Sequence, residues 1–258
     1  VNANLIPHRS RLFLFFFPLT SYLVTNLTVA AGWVFFKILN RTLVFGRENI
    51  GERPNTVLLA NHLSMIDGFL VGFGAFFPKS LWKPGLMPWH PAAYENFFAH
   101  PVMAWFSDNW KCIPVKPGRK DFGAMKRMER ALHSGLMTVF PEGTRSRDGK
   151  LLPPRSGIGF VMLRTHPRAI PICLEGVDDV LPVGKLFPRI FGTMMIHYGK
   201  PVDLSDVYAL EPTRENAQIC IQKVFASIRR QQALLKRYRR YRAHLLSKMP
   251  FYFRFYRP

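Results

Sequence analysis

The chain has 258 residues, with 36 Lys or Arg against 16 Asp or Glu and a formal charge of +20. That length suits one large domain or a core with appendages, and the charge points to nucleic acid, anionic lipid or a phosphorylated substrate as partner. Twenty-three Phe and a mean hydropathy of +0.01 at that charge fit a membrane surface better than a nucleic-acid groove. Cys112, Cys173 and Cys220 are odd in number and lack metal-ligand or redox spacing, so they read as reduced thiols. No His/Cys/carboxylate cluster has metal-ligand spacing.

In chain order, residues 1–40 come first. No charge falls between Leu12 and Phe36, a run long enough to span a bilayer. Pro18, Asn26 and Gly32 interrupt it, and Thr20, Ser21, Thr25 and Thr28 are scattered through it. Two short helices dipping into one leaflet fit as well as one span. A cleaved signal peptide is disfavoured by the length and aromatic content. Residues 40–55 are polar and turn-rich.

From about Thr56, short apolar runs alternate with helical stretches, which predicts a βαβ-type arrangement. Strands are expected at 56–60, 111–115, 136–140, 169–174 and 193–198. Asp121 to Ser134 carries Phe122, Met125, Met128 and Leu132 at helical spacing, with Gly135 as a stop. Residues 81–105 read as a loop and short helix. The whole predicts a mixed, largely parallel central α/β sheet flanked by helices over 41–212, behind an N-terminal membrane-associated helical segment. Residues 213–258 read as a basic amphipathic helix and tail. Thr213 is the expected cap, Ile221, Val224, Phe225 and Ile228 form a stripe, and ten Lys/Arg without an acid follow from Arg229. The terminal mixture of aromatic and basic residues suits a headgroup layer.

Two stretches carry chemistry. Asn61-His62-Leu63-Ser64-Met65-Ile66-Asp67 follows the apolar run 56–60. Five residues turn a helix by about 500°, so His62 and Asp67 do not share a helical face. They can cooperate as base and orienting acid only if His62 sits in a turn and Asp67 in the first helical turn. Phe140-Pro141-Glu142-Gly143-Thr144-Arg145-Ser146 follows the second apolar run. Arg145 could fork onto a phosphate, and Glu142 could accept from a hydroxyl or lock the arginine. Each piece alone reads as readily as surface punctuation.

Together, Asn-His-x-x-x-x-Asp and Phe-Pro-Glu-Gly-Thr-Arg-Ser resemble the motifs of the glycerolipid acyltransferases, which include the 1-acylglycerol-3-phosphate acyltransferases. The resemblance runs from about Thr56 to Pro201. Ile113-Pro114-Val115-Lys116-Pro117-Gly118-Arg119 matches a further block inexactly, with Lys116 or Arg119 in the place of its basic residue. Arg155-Ser156-Gly157 matches another, with arginine where lysine is commoner. Gly176 to Pro182, Phe187-Pro188-Arg189 and Gly199-Lys200-Pro201 are similar to the tafazzin branch, which moves acyl chains between phospholipids and lysophospholipids.

The resemblance implies a membrane-bound acyltransferase with His62 as general base and Asp67 as its orienting group. Glu142, Gly143, Thr144, Arg145 and Arg155, with Lys116 or Arg119, would bind the acceptor. It implies no cofactor and no metal. The co-substrate would be acyl-CoA or acyl-carrier protein, the acceptor lysophosphatidic acid, and the setting the cytoplasmic face of a membrane (the inner one in a bacterium) with its phospholipids as partners. Ser64 lacks a nucleophile elbow and reads as a turn residue. The rivals are a tafazzin-like transacylase, a lipid hydrolase, and a basic anionic-lipid or nucleic-acid binding module. The last leaves the paired motifs unexplained, so no nucleic-acid partner is expected.

Overall fold

The structure is a computed structural model and describes residues 5–6, 9–116 and 121–248. Its first element is a continuous apolar helix, α1 (Arg11–Trp33), whose last turns widen to a π-helix over Val34–Leu39. Ser10 caps it. Three of the hydroxyl residues scattered through the run, Ser21, Thr25 and Thr28, form its docking face. Ser21 and Thr25 donate to the carbonyl of Asn109 at 2.7 and 3.2 Å, and Thr28 accepts from Trp110 Nε1 at 2.9 Å. Leu12, Phe16, Leu19, Leu23 and Leu27 fall on the other face at helical spacing and are exposed. One helix therefore replaces the alternative of two short ones.

The elements that follow are β1 (Arg41–Phe45), β2 (Thr56–Ala60), α2 (Asp67–Phe76), β3 (His90–Ala93), α3 (Tyr94–Phe97), α4 (Pro101–Asn109), β4 (Cys112–Val115) and α5 (Phe122–Ser134). Then come β5 (Leu136–Val139), α6 (Gly157–Thr165), β6 (Arg168–Glu175), α7 (Val177–Val180), β7 (Thr193–Tyr198), α8 (Ser205–Tyr208) and α9 (Arg214–Lys248). The central sheet has the order β1-β7-β6-β2-β5. All its pairs are parallel except β6 with β7. The fold is thus mixed α/β with a mostly parallel sheet.

Two strands differ from the sequence reading. Residues 41–45, within the stretch read as turn-rich, form the edge strand β1, where only Thr42 is buried. The predicted strand at 111–115 forms but leaves the central sheet, pairing instead with β3 inside the stretch read as loop. This ribbon hangs from β5 through Trp89, which donates to the Leu136 carbonyl and accepts from Thr138 N, both at 2.8 Å.

Strand residues alternate between two apolar layers, as the pleat requires. Val57, Leu59, Met137 and Val139 face α5, α6 and α9, whereas Leu58, Ala60, Ile170 and Ile172 face α2 and the end of α1. The stripe Ile221, Val224, Phe225 and Ile228 of α9 is wholly buried in the first layer. One face of this basic helix is therefore core from Ala217 to Leu235, and only its later turns are free of it. Its close approach to α6 needs Gly159, because a Cβ there would collide with the Ala217 carbonyl. The terminal aromatic residues 251–257, expected at a headgroup layer, lie outside the described residues.

Candidate active site

Register places the two motifs side by side. β2 and β5 are parallel neighbours, with Thr56 opposite Leu136 and Leu59 opposite Val139. The turns leaving their carboxyl ends must then meet, at the edge of an α/β sheet where ligands commonly bind. β6 closes the other side, with Ala60 opposite Ile172.

Asn61 ties the first turn down, donating through Nδ2 to the Leu174 carbonyl at 3.0 Å and accepting from Leu174 N at 2.7 Å. His62 follows in the turn, and Asp67 opens α2. Their contact has the geometry the spacing requires: Nδ1 of His62 lies 2.8 Å from Oδ2 of Asp67. The same oxygen accepts from Leu63 N at 2.6 Å and Ser64 N at 2.8 Å. Asp67 is fully buried, and its Oδ1 has no hydrogen-bond partner among the described residues. With Nδ1–H donated to Asp67, a neutral imidazole keeps its lone pair on Nε2. The ring is 21% exposed and stacks on Phe140 at 4.1 Å and 15°. Ser64 Oγ donates to the Leu181 carbonyl at 2.7 Å, which occupies it as a turn residue.

Glu142 has a place the sequence reading did not give it. It is buried, and its Oε1 accepts from His62 N at 3.0 Å while Oε2 accepts from Leu152 N at 2.9 Å. It neither faces the exposed surface nor pairs with Arg145; it clamps one motif's backbone to the other's. Burial raises its pKa, opposed by the two backbone donors and by His62. Ser146 N completes the clamp with a bond to the His62 carbonyl at 2.8 Å.

Beyond this clamp the second turn opens outward. Gly143 has φ +69° and is exposed, with the Arg155 side chain over it. A Cβ there would press Arg155 Cδ at 3.1 Å. Thr144 and Arg155 are exposed and Arg145 is half-buried. Arg155 is brought back to this turn because its N donates to the Pro141 carbonyl at 2.9 Å. The structure thus puts Gly143, Thr144, Arg145 and Arg155 on one turn, which Glu142 and Ser146 tie to the backbone of His62. Lys116 stands elsewhere, at the end of β4, with Nζ 6.0 Å from the Tyr94 ring centre and its N bonded to Asp121 Oδ2. Arg119 lies outside the described residues.

Sequence reasoning assigned no role to Phe140, Ser146 or Leu152. Phe140 and Ser146 lie inside the motif, but only the β2–β5 register reveals what they touch. An apolar cleft begins beside Gly68, next to Asp67, and runs between α1, α2 and the ribbon past Val29, Phe36, Phe69 and Met87.

A family model for acyltransferases matches residues 41–175, just over half of the chain. A chloroplastic 1-acyl-sn-glycerol-3-phosphate acyltransferase of Brassica napus is 28% identical over 63% of this chain and 45% of its own length. Its counterpart in Arabidopsis thaliana is 28% identical over 61% and 42%, and a Salmonella typhimurium enzyme of the same name is 32% identical over 32% of each chain. The chain thus spans less than half the length of the chloroplast relatives it matches. The crystal structure of a 1-acyl-sn-glycerophosphate acyltransferase from Thermotoga maritima shares the fold, with a TM-score of 0.64 at 22% identity over 84% of this chain and 81% of that one. The matched segment begins at the edge strand β1 and holds both turns of the site, and on that match the chain belongs to the acyltransferase family.

Proposed function

We propose that the protein is a membrane-associated 1-acylglycerol-3-phosphate acyltransferase that moves a fatty acyl chain from a thioester, acyl-CoA or acyl-carrier protein, to the hydroxyl of lysophosphatidic acid. The observation that carries this reading is the 2.8 Å His62–Asp67 contact beside a turn whose two arginines have no ion pair among the described residues. A hydroxyl is a poor nucleophile at neutral pH and needs its proton removed as it attacks. His62 Nε2 is free to take it, and Asp67 fixes the tautomer and steadies the imidazolium. The carbonyl–sulfur bond breaks, and His62 returns the proton to the leaving thiolate. Both substrates are held together, so no covalent enzyme intermediate is needed.

Arg145 and Arg155 would hold the acceptor phosphate and Thr144 its glycerol, leaving Glu142 to position the base. The apolar cleft beside Gly68 would take an acyl chain. The exposed apolar stripe of α1 supports membrane attachment. That helix packs against the domain through buried Phe17, Ser21, Val29 and Phe36, with Ser21, Thr25 and Thr28 bonded to Asn109 and Trp110 at the end of α4, which supports an in-plane rather than a crossing arrangement. Thiol release from acyl-CoA and from acyl-carrier protein, measured over a panel of lysophospholipids in liposomes, tests the reading. Release that depends on lysophosphatidic acid is expected. Acyl exchange from labelled phospholipid without any thioester would replace it with a transacylase.

A further inference from the structure

Residues 184–191 are exposed without a break, between the buried Leu181 and the start of β7. Four of them are large and apolar: Leu186 is 81% exposed, Phe187 87%, Ile190 51% and Phe191 65%. Lys185 and Arg189 lie among them, and no acid occurs between Asp179 and Asp203. Contiguous apolar surface of this kind on a protein face marks an interaction site.

The base of the loop is pinned. Arg189 N donates to the Val180 carbonyl at 2.8 Å, Phe191 N to the Leu39 carbonyl at 2.7 Å, and Gly192 N to Asn40 Oδ1 at 2.8 Å. The loop is therefore joined to the end of the α1 helix, where Ile38 and Leu39 are themselves exposed. It is also joined to the catalytic turn, through Ser64 Oγ on the Leu181 carbonyl. The apolar surface of α1 thus continues across the Leu39–Phe191 contact onto the loop tip, with Lys37, Lys185 and Arg189 exposed around it. Aromatic rings among cations, without acids, match the boundary of an anionic bilayer, where rings bury and basic groups meet phosphate.

We infer that the 184–191 loop is a second membrane-inserting element, entering the headgroup layer of an anionic bilayer beside α1 and holding the catalytic turn at the lipid surface. It rests on the reading of the chain as a membrane enzyme, and its test reads lipid contact separately from turnover. Cys112, Cys173 and Cys220 are buried, so one added exposed cysteine can carry an environment-sensitive fluorophore. Phe187→Cys would be labelled in the full chain, with Glu211→Cys as an exposed control on another segment. Both would be mixed with vesicles of phosphatidylcholine and phosphatidylglycerol, with and without a spin-labelled acyl chain as quencher.

The expected result is a blue shift and a several-fold intensity rise at position 187 but not at 211, with quenching by the spin label. Separately, Leu186→Ser combined with Phe187→Ser should weaken vesicle binding by about ten-fold or more. Binding by the labelled chain with a water-like probe at 187 would overturn the loop's role while leaving α1 as the anchor. No vesicle binding at all would overturn both. A concentration-dependent shift at 187 without vesicles would assign the patch to a second copy of the chain and also overturn it. Lipid contact at 187 without acyl transfer would leave this inference standing and remove the proposed activity.

Discussion

The two turns at the carboxyl ends of β2 and β5 are built on opposite plans. In the turn 61–67, Asn61, Ser64 and Asp67 are buried and bonded, and even the backbone N of His62 is held by Glu142. In the segment 143–155, Thr144, Arg145 and Arg155 make no side-chain hydrogen bond or ion pair among the described residues. Proton transfer needs a nitrogen fixed to fractions of an ångström. Phosphate binding needs donors whose partners the ligand will supply. The locked turn can thus be read as chemistry and the open one as recognition.

Breaking the locked turn should have the largest effect. His62→Ala should cut kcat by roughly 10²–10⁴-fold, the usual worth of a general base, while the melting temperature moves little because the ring is partly exposed. Asp67→Asn should lose a similar factor and also destabilise the fold, by about 1–3 kcal/mol. An amide oxygen can take the place of Oδ2 but carries no charge, so it holds His62 Nδ1, Leu63 N and Ser64 N more weakly and does not steady the imidazolium. Thiol-release kinetics and chemical unfolding measure the two losses. Near-native kcat in a folded His62→Ala protein would end the mechanism.

Glu142 tests which side of the comparison it belongs to. Glu142→Gln keeps the volume but offers one acceptor where two backbone donors wait. If it positions the base, kcat should fall by roughly 10–100-fold with the acceptor KM nearly unchanged, the size of effect a small misplacement brings. A rise in acceptor KM at constant kcat would return Glu142 to the binding turn.

Opening the recognition turn further should matter less, and in the other parameter. Arg145→Ala and Arg155→Ala should each raise the acceptor KM by roughly ten-fold, as expected for one charge-assisted hydrogen bond. The donor KM should stay near its starting value. An unchanged acceptor KM in both variants would take the phosphate away from this turn.

What the sequence revealed follows from the same physics. Strands β2, β5, β6 and β7 are buried on both faces and read as apolar runs. β1 is an edge strand with one buried residue, and β3 is the tetrapeptide His-Pro-Ala-Ala, so neither carries a periodic signal. The locked turn was legible because its spacing admitted one geometry, a helix starting between His62 and Asp67. The clamp made by Glu142 was not, since it depends on the register of two strands with eighty residues between the partners. The polar residues of α1 were misleading for a related reason. Composition shows a Ser or Thr in an apolar run, but only the position of Asn109 shows what it bonds.

A final experiment separates acid loss at the site from acid loss of the fold. His90 in β3 is half-buried, and its Nδ1 has no hydrogen-bond partner among the described residues. Burial, and then the Lys111 ammonium beside it, lower its pKa from 6.5 to about 4, against a raising contribution from the Trp110 backbone. Burial also lowers the pKa of Lys111, to about 8, so it is still a cation in this window. Between pH 6.5 and 4 the unfolded chain takes up a proton at His90 that the folded chain refuses. The unfolded state then binds more protons, so stability rises with pH across this window and is lost as pH falls through it. The full swing is on the order of 3 kcal/mol. His90→Phe removes the titration and should flatten this part of a stability–pH curve measured by urea unfolding, with no acid-dependent gain at neutral pH. If the wild-type curve is already flat from pH 6.5 to 4, the burial of His90 does not govern the acid stability of the fold.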